Sequence, residues 1–457
     1  MKLTFREISK ALSVPLPQSS LGNKIIKGIS IDSRTTKKGD LFIALEGRRF
    51  DGHSFVKEAL KRGAQAALVS KRIPALKEEI SVIKVKDTLK ALGDIASYYR
   101  SKYNVKVVGV TGSNGKTTTK EMICYLLSHK FRVIASFASF NNFVGVPLTI
   151  FKIKEDTQIL IQEMETNIIG GIKRLSKIVK PIVGVVTNIG PTHLESLRTV
   201  YGVFREKAEL LKSLPSEGIS VINKDDEYFF KLKKSSATKC IITFGVKKKA
   251  DFRAKNIEFK RNHFYFDVEG VRFVLPTVFY KNIYNAIAAI GVSVGIFGLS
   301  LKKSAELFKN FKFLPLRSEV IRIKDICIIN DCFNANPVSV KEALISFGVI
   351  KSKNKIAILG DMSELGKDSV RFHYEIGRFV SRFNFKALVC VGNNAYYIGR
   401  GAEEGGAGFK IAYCKTIDEA VKFLISVLRR RSFLLIKGSR AMGLERLAEK
   451  FSLLFKE

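Results

Sequence analysis

Short apolar runs separated by stretches with apolar positions at helical spacing fill the chain after residue 100. Residues 105–110 form the first clear run, followed by a glycine-rich turn and a helical pattern over 117–128. Strand-like runs return at 158–162, 182–186 and 218–222, with helical stretches between them. Strands alternating with helices predict a parallel sheet covered by helices, because a parallel pair needs a crossover long enough to hold one. The rhythm then starts again. Residues 326–329, 355–359, 387–391 and 433–436 read as strands, and 338–349, 370–381, 418–428 and 444–455 as helices. That repeat predicts a second open α/β unit. Before residue 100 the pattern is weaker, with apolar runs such as 40–45 and 66–69 broken by glycines and charges.

The expected fold class is therefore α/β in three domains, 1–100, 101–314 and 315–457, with Leu314 and Pro315 at the second boundary. A chain of 457 residues accommodates two to four domains, each with its own core. No apolar run reaches the ~20 residues that span a bilayer, and the N-terminal stretch lacks the apolar core of a secretory signal. The expectation is a cytoplasmic protein without membrane insertion, acting as a monomer. Six cysteines occur without a C-x-x-C spacing, which argues against a zinc site or a disulfide framework and predicts buried free thiols.

Charge widens the choice of partners. Lys and Arg number 78 against 42 Asp and Glu, a net charge of +36. Such a field attracts polyanions, nucleic acid among them. The basic residues are spread along the chain with only short runs such as 247–249, so the motifs carry more weight than the total.

Residues 107–122 read VVGVTGSNGKTTTKEM. The strict phosphate-loop pattern G-x-x-x-x-G-K-[ST] places a glycine at position 110, where this chain has Val110; its glycines are Gly109 and Gly112. The context is nevertheless strand, loop, helix, in which backbone N–H groups and a helix N-terminus hold phosphate oxygens. Lys116 would reach the terminal phosphates and Thr117 would offer its hydroxyl to Mg²⁺. A chance GKT in a surface turn is the bland alternative, and the flanking strand and helix argue against it.

The segment TGSNGKTT resembles the T-G-[TS]-[NKG]-G-K-[ST] loop of the Mur ligase family, and the resemblance runs along the whole chain. It implies that Thr111, Gly112, Ser113, Asn114, Gly115, Lys116, Thr117 and Thr118 hold ATP. Residues 31–55 (IDSRTTKKGDLFIALEGRRFDGHSF) look like the family's UDP-sugar-binding domain. There Ser33 can donate to a phosphate or uracil oxygen and Arg34 can fork onto a diphosphate; an exposed turn with a solvated arginine is the alternative. Residues 141–149 (NNFVGVPLT) are similar to a segment lining the sugar-peptide substrate, with Asn141 and Asn142 as its contacts.

The resemblance also supplies metal candidates. Residues 163–167 (EMETN) resemble E-L-G-x-N, whose glutamate binds Mg²⁺; this chain has Glu165 where glycine is usual, so either carboxylate is open, with Glu163 favoured. His193, in TNIGPTHLE, matches the histidine of a second metal site, although a lone histidine after a strand is more often structural. Lys207, in FREKAEL, matches a lysine that is carbamylated and helps hold Mg²⁺; composition alone would make it a solvated helix residue.

The adenine contact falls on Asn282 in FYKNIYNAIAA, where Phe279, Tyr280 and Lys281 depart from the usual flanking residues, and Arg317 falls on a nucleotide-contacting arginine. Residues 330–337 (NDCFNANP) resemble D-x-Y-N-A-N-P, with Asp331 toward the ribose and Asn334 and Asn336 ordering the loop around an incoming amine. Residues 359–366 (LGDMSELG) and 436–440 (IKGSR, with Lys437 toward the substrate) complete the set.

These C-terminal segments resemble the members that join D-Ala-D-Ala to UDP-N-acetylmuramoyl-tripeptide. They imply an amide ligase using ATP and Mg²⁺, with Lys116, Glu163, His193 and Lys207 catalytic, and Thr117, Glu163, His193 and carbamylated Lys207 as metal ligands. The rivals are a relative adding a single amino acid in the tripeptide-forming step, a basic phosphate-loop ATPase working on nucleic acid, and a non-catalytic UDP-sugar binder. No motor motifs or basic-aromatic stripes accompany the loop, so nucleic acid is not an expected partner.

Overall fold

A computed structural model describes residues 1–16, 22–47, 50–73, 82–138 and 140–454. Arg48 and Arg49 of the 31–55 segment and Phe455 at the end of the last expected helix lie outside these residues.

Seven strands form the central sheet, in the order Phe252–Arg253, Cys240–Gly245, Ile219–Asn223, Val183–Val186, Lys106–Thr111, Ile159–Glu163, Val133–Ala135, every neighbouring pair parallel. Val107, Val108 and Val110 are fully buried, as expected of an interior strand covered on both faces. Helix Lys116–Leu127 leaves the end of that strand and packs on helix Lys281–Ser293, in which every residue from Asn282 onward is buried. Thr111, Glu163 and Asn223 are the last residues of their strands. They share the carboxyl rim of a parallel sheet, where open α/β sheets bind ligands.

The expected parallel alternation is interrupted by a three-stranded antiparallel sheet, Lys255–Lys260, His263–Val268 and Val271–Leu275. Two tight turns join its strands, with positive φ at Arg261 and Asn262 and at Glu269 and Gly270. That geometry matches the right-handed twist of hairpin strands. Phe264, Phe266 and Val268 alternate into the core, the period-two pattern of a strand with one buried face.

The C-terminal sheet runs Glu319–Ile323, Ile326–Asn330, Phe433–Lys437, Lys355–Gly360, Ala387–Val391, Lys410–Cys414, with only its first pair antiparallel. Its last strand in sequence sits near the middle, pairing Ile436 with Asn330 and Lys437 with Leu359. Toward the N-terminus, Gly28–Ser30, Asp40–Ile43, Ala66–Val69 and Val82–Lys84 make a four-stranded parallel sheet.

All six cysteines are free, but the expectation of burial fails for Cys240, which is exposed, and Cys124 is only half-buried. Cys240 opens its strand at the sheet's lip, where side chains leave the core. Among the described residues no helix is long and apolar enough to cross a membrane.

Candidate active site

The phosphate loop is held from below by the turn after the neighbouring strand. Thr187 Oγ1 donates to the Asn114 carbonyl at 2.6 Å, and Asn188 exchanges two hydrogen bonds with Asn114, accepting from its N–H and donating to its carbonyl, both at 2.9 Å. Ser113 Oγ donates to the Gly190 carbonyl at 2.9 Å and accepts from the Gly190 N–H at 2.8 Å. Thr111 Oγ1 closes the other side on the Met164 carbonyl at 2.8 Å. Gly112 and Gly115 have φ of +143° and +79°, a region that disfavours a Cβ. A Cβ on Gly115 would stand 2.2 Å from Asn285 Oδ1. The shifted glycine spacing thus serves a loop whose backbone contacts both the sheet and the Lys281–Ser293 helix.

Two carboxylates flank the loop and take different partners. Glu163 Oε2 accepts from Thr117 Oγ1 at 2.7 Å, and its Oε1 accepts from Asn141 Nδ2 at 2.8 Å. Glu165 forms ion pairs with Lys116 and Lys207, while His193 Nε2 lies 3.4 Å from its Oε1. Burial alone would raise the Glu165 pKa, yet Lys116, Lys207 and His193 hold it well below the usual carboxylate range. Lys207 is fully buried, and burial, with Lys116 nearby, pushes its pKa down despite the pull of Glu165. For His193 burial lowers the pKa, but the Glu165 and Glu364 carboxylates beside its two ring nitrogens outweigh it and the net direction is up. Lys116 Nζ also donates to the carbonyls of Gly112 at 2.8 Å and Ser113 at 3.1 Å.

Groups from the C-terminal unit face this cluster across a cavity of about 260 Å³. Lys437, 2% exposed, donates to Asp331 Oδ2 at 2.6 Å and to the Asn334 carbonyl at 3.0 Å. The central position of its strand brings it there, beside the end of Ile326–Asn330. Arg317 stacks its guanidinium 3.7 Å from the Phe333 ring centre, between two residues, Leu316 and Ser318, with positive φ. Asn336 caps helix Pro337–Gly348 and reaches over to donate to Asn114 Oδ1 at 2.8 Å, tying this unit to the phosphate loop. Asn282 lines the cavity, accepting from Asn285 Nδ2 at 3.0 Å and donating to Thr277 Oγ1 at 2.8 Å.

Several expected site residues stand apart from that cavity. Ser33 Oγ donates to Glu58 at 2.9 Å, and exposed Arg34 forks onto Asp32, whose carboxyl it holds down at about 2. Asn142 Oδ1 accepts from the N–H groups of Val144 and Gly145, a turn contact. Lys207 lies behind Glu165 and does not line the cavity.

Among the described residues no group of three or more His, Cys, Asp or Glu side chains is arranged to hold a metal ion. The donor set nevertheless fits Mg²⁺ at one position: a hydroxyl and a carboxylate, Thr117 and Glu163, converge at the end of a phosphate loop. Mg²⁺ uses such hard oxygens, one or two at a time, beside phosphates. As a free amine, Lys207 is paired with Glu165 and offers no oxygen, so it fits a metal only after modification.

Other residues of the site carry no assignment from sequence. Tyr284 OH donates to Asp225 at 2.9 Å, Lys281 pairs with Glu342 of the C-terminal unit at 2.8 Å, and Glu364 approaches His193. Thr187, Asn188 and Glu364 sit inside quoted motifs, but motif membership carries no distances.

A phosphate loop at the rim of a parallel sheet, facing a carboxylate–lysine–histidine cluster and roofed by a second α/β unit, defines a nucleotide-using group-transfer enzyme. Comparison with known proteins narrows that class. Residues 25–100 match the Mur ligase family catalytic domain, 110–293 the Mur ligase middle domain, and 316–440 the Mur ligase glutamate ligase domain. The chain is 32% identical over 453 residues to the UDP-N-acetylmuramoyl-tripeptide–D-alanyl-D-alanine ligase of Bacillus subtilis (strain 168), covering 98% of each chain. It is 34% identical to the protein of the same name in Buchnera aphidicola subsp. Baizongia pistaciae, over 93% of this chain and 92% of that one. Its fold superposes on MurF from Acinetobacter baumannii with TM-score 0.92 and 29% identity, over 99% of each chain. The MurF ligase from Thermotoga maritima in complex with ADP gives TM-score 0.85 and 26% identity, over 94% of this chain and 98% of that one. The chain belongs to the Mur ligase family.

Proposed function

We propose that this protein is an ATP-dependent amide ligase that adds D-Ala-D-Ala to UDP-N-acetylmuramoyl-tripeptide in peptidoglycan precursor synthesis. One observation carries the reading: the phosphate loop and the Asp331–Lys437–Arg317 group of the C-terminal unit line a single cavity, bridged by the Asn336–Asn114 hydrogen bond. The names of its relatives supply the substrates. Residues 1–100 would take the UDP-sugar, 101–314 the ATP, and 315–457 the amine.

In the reaction an oxygen of the tripeptide carboxylate attacks the γ-phosphorus of ATP, the bond to the bridging oxygen breaks, and ADP leaves. The nitrogen of D-Ala-D-Ala then attacks the acyl carbon, the carbon–oxygen bond to phosphate breaks, and the amine gives up a proton. Lys116 is positioned to neutralise charge on the transferring group, and the loop N–H groups to orient it. Asp331 and Asn282 would orient the ribose and adenine. Docking of the C-terminal unit brings the amine to the acyl carbon and keeps water from it. Thr117 and Glu163 would hold Mg²⁺, with His193 and carbamylated Lys207 at a second position; the ion supplies charge neutralisation beside the phosphates. The reaction belongs in the cytoplasm, with the protein as a monomer.

The test is ADP release in the presence of UDP-N-acetylmuramoyl-tripeptide. D-Ala-D-Ala should drive it far better than D-Glu, diaminopimelate or L-Lys. Preferred use of a single amino acid with a dipeptide acceptor would instead make the chain a tripeptide-forming relative.

A further inference from the structure

His193 has a carboxylate beside each ring nitrogen, one from each unit. Nε2 lies 3.4 Å from Glu165 of the central unit, and Nδ1 lies 2.6 Å from Glu364 Oε2 of the C-terminal unit, off the line of a straight hydrogen bond. Through Glu165 the chain of charges continues to Lys116 and Lys207. Among the described residues Glu364 has no other ion-pair partner.

The backbone on both sides of this contact adopts a conformation that side chains disfavour. Glu364 has φ +61° and His193 φ +53°. Glycine is the ordinary occupant of that region, and strained residues persist where their surroundings hold them and function uses them. The Glu364 loop is held by the Ser363 N–H donating to Ser439 Oγ and the Met362 N–H donating to His373 Nε2, both at 2.8 Å. The His193 turn is held by Leu197 N–H on the His193 carbonyl at 2.8 Å. The two loops also touch: a Cβ on Gly366 would lie 3.7 Å from Glu195 Cα. A glutamate where glycine would be easier has its carboxylate as its compensation.

We infer that Glu364 is a positioning residue that couples docking of the C-terminal unit to the orientation of His193, and through it to the charge cluster beside the phosphate loop. The inference builds on the ligase reading for its kinetic consequence. Loss of the carboxylate leaves nucleotide binding intact and frees the imidazole on one side, so turnover slows while ATP affinity is kept.

The experiment compares wild type with Glu364→Gln, Glu364→Gly and Glu364→Asp. In D-Ala-D-Ala-dependent ADP release, kcat should fall about tenfold in the glutamine and glycine variants, with KM for ATP within about twofold, the split expected when an interaction outside ground-state binding is lost. Asp should recover part of the loss. Glu364→Gly should melt no lower than wild type, because glycine relaxes the left-handed backbone; a purely structural residue would lose stability and activity together. Hydrogen exchange of the amides at 194–197, which needs no substrate, should quicken at least fivefold in the glutamine and glycine variants. If wild type fails to use D-Ala-D-Ala, the ligase reading falls and the exchange measurement still decides the contact. Unchanged exchange, or wild-type kcat in either variant, overturns the inference.

Discussion

Replacing Gly112 by Ala tests the geometry of the phosphate loop with one methyl group. The added Cβ would stand 2.0 Å from Thr187 Oγ1 and 3.1 Å from the backbone nitrogens of Thr187 and Asn188. Thr187 is 3% exposed and its hydroxyl donates to the Asn114 carbonyl, so the methyl must displace a buried hydrogen bond that shapes the loop. The Asn114 carbonyl keeps its bond from Asn188 Nδ2, so the loss falls on the buried Thr187 hydroxyl. A buried donor pushed off its acceptor costs about 1–3 kcal/mol, and a left-handed backbone at a residue with a side chain costs roughly 1–2 kcal/mol. Partial relaxation brings the sum to about 2–4 kcal/mol. For a unfolding unit of about 200 residues that corresponds to a melting temperature lower by roughly 5–15 °C. The assay is thermal unfolding with and without ADP, repeated in a Thr187→Ala background. There the clashing oxygen is gone and the cost of the second substitution should fall to about the backbone share, roughly 1–2 kcal/mol. A Gly112→Ala protein melting within about 2 °C of wild type, or an equal cost in both backgrounds, would refute the argument.

Lys116→Ala should lower turnover by ~10²-fold or more, the scale of one lost transition-state charge contact, while circular dichroism stays native because Glu165 keeps Lys207 and His193; near wild-type turnover would end the nucleotide assignment. Lys207→Arg keeps the charge but cannot be carbamylated, so it should be inactive, whereas Lys207→Ala should regain part of its turnover when acetate is added; a fully active arginine variant would leave Lys207 a structural residue. His373 is fully buried, accepts from the Met362 N–H and donates to the Ser369 carbonyl; burial lowers its pKa against the pull of that carbonyl and of Asp361. The unfolded chain therefore binds a proton near pH 6.5 that the folded one refuses, so stability is held above that pH and declines as pH falls through it. Denaturant unfolding at pH 5.5 and 7.5 should show this decline in wild type and a flatter profile in His373→Gln. DNA should leave ATP turnover unchanged at physiological salt, any binding driven by the +36 charge fading steeply as salt rises; strong stimulation would revive the nucleic-acid ATPase.

The readable parts of the chain were those whose pattern is local. The strand before the phosphate loop was expected at 105–110 and is Lys106–Thr111; the helix after it was expected at 117–128 and is Lys116–Leu127. Strand–loop–helix order depends on neighbours within a few residues, and so does the end of a strand at Glu163. The antiparallel hairpins at 255–275 went unread because their tight turns lack the common Asn-Gly or Asp-Gly signal. Ser33 and Arg34 stand in a family motif, while the structure pairs Ser33 with Glu58 and Arg34 with Asp32, away from the cavity.

By itself the sequence determined the alternation of strands and helices, the loop that bends into a phosphate cradle, and the family whose motifs it carries. Those properties follow from side-chain periodicity and short-range backbone preference. Only the tertiary structure decided which charges meet. Glu163 and Glu165 are two residues apart and would share one face of a continuing strand, yet the first faces Thr117 and the second Lys116 and Lys207, because the strand ends at Glu163 and Glu165 lies in the segment beyond it. Lys437 reaches Asp331, more than a hundred residues earlier, because the last strand inserts between earlier ones. The approach of Glu364 to His193 exists only where the central and C-terminal units meet, and no periodicity in either segment encodes that meeting.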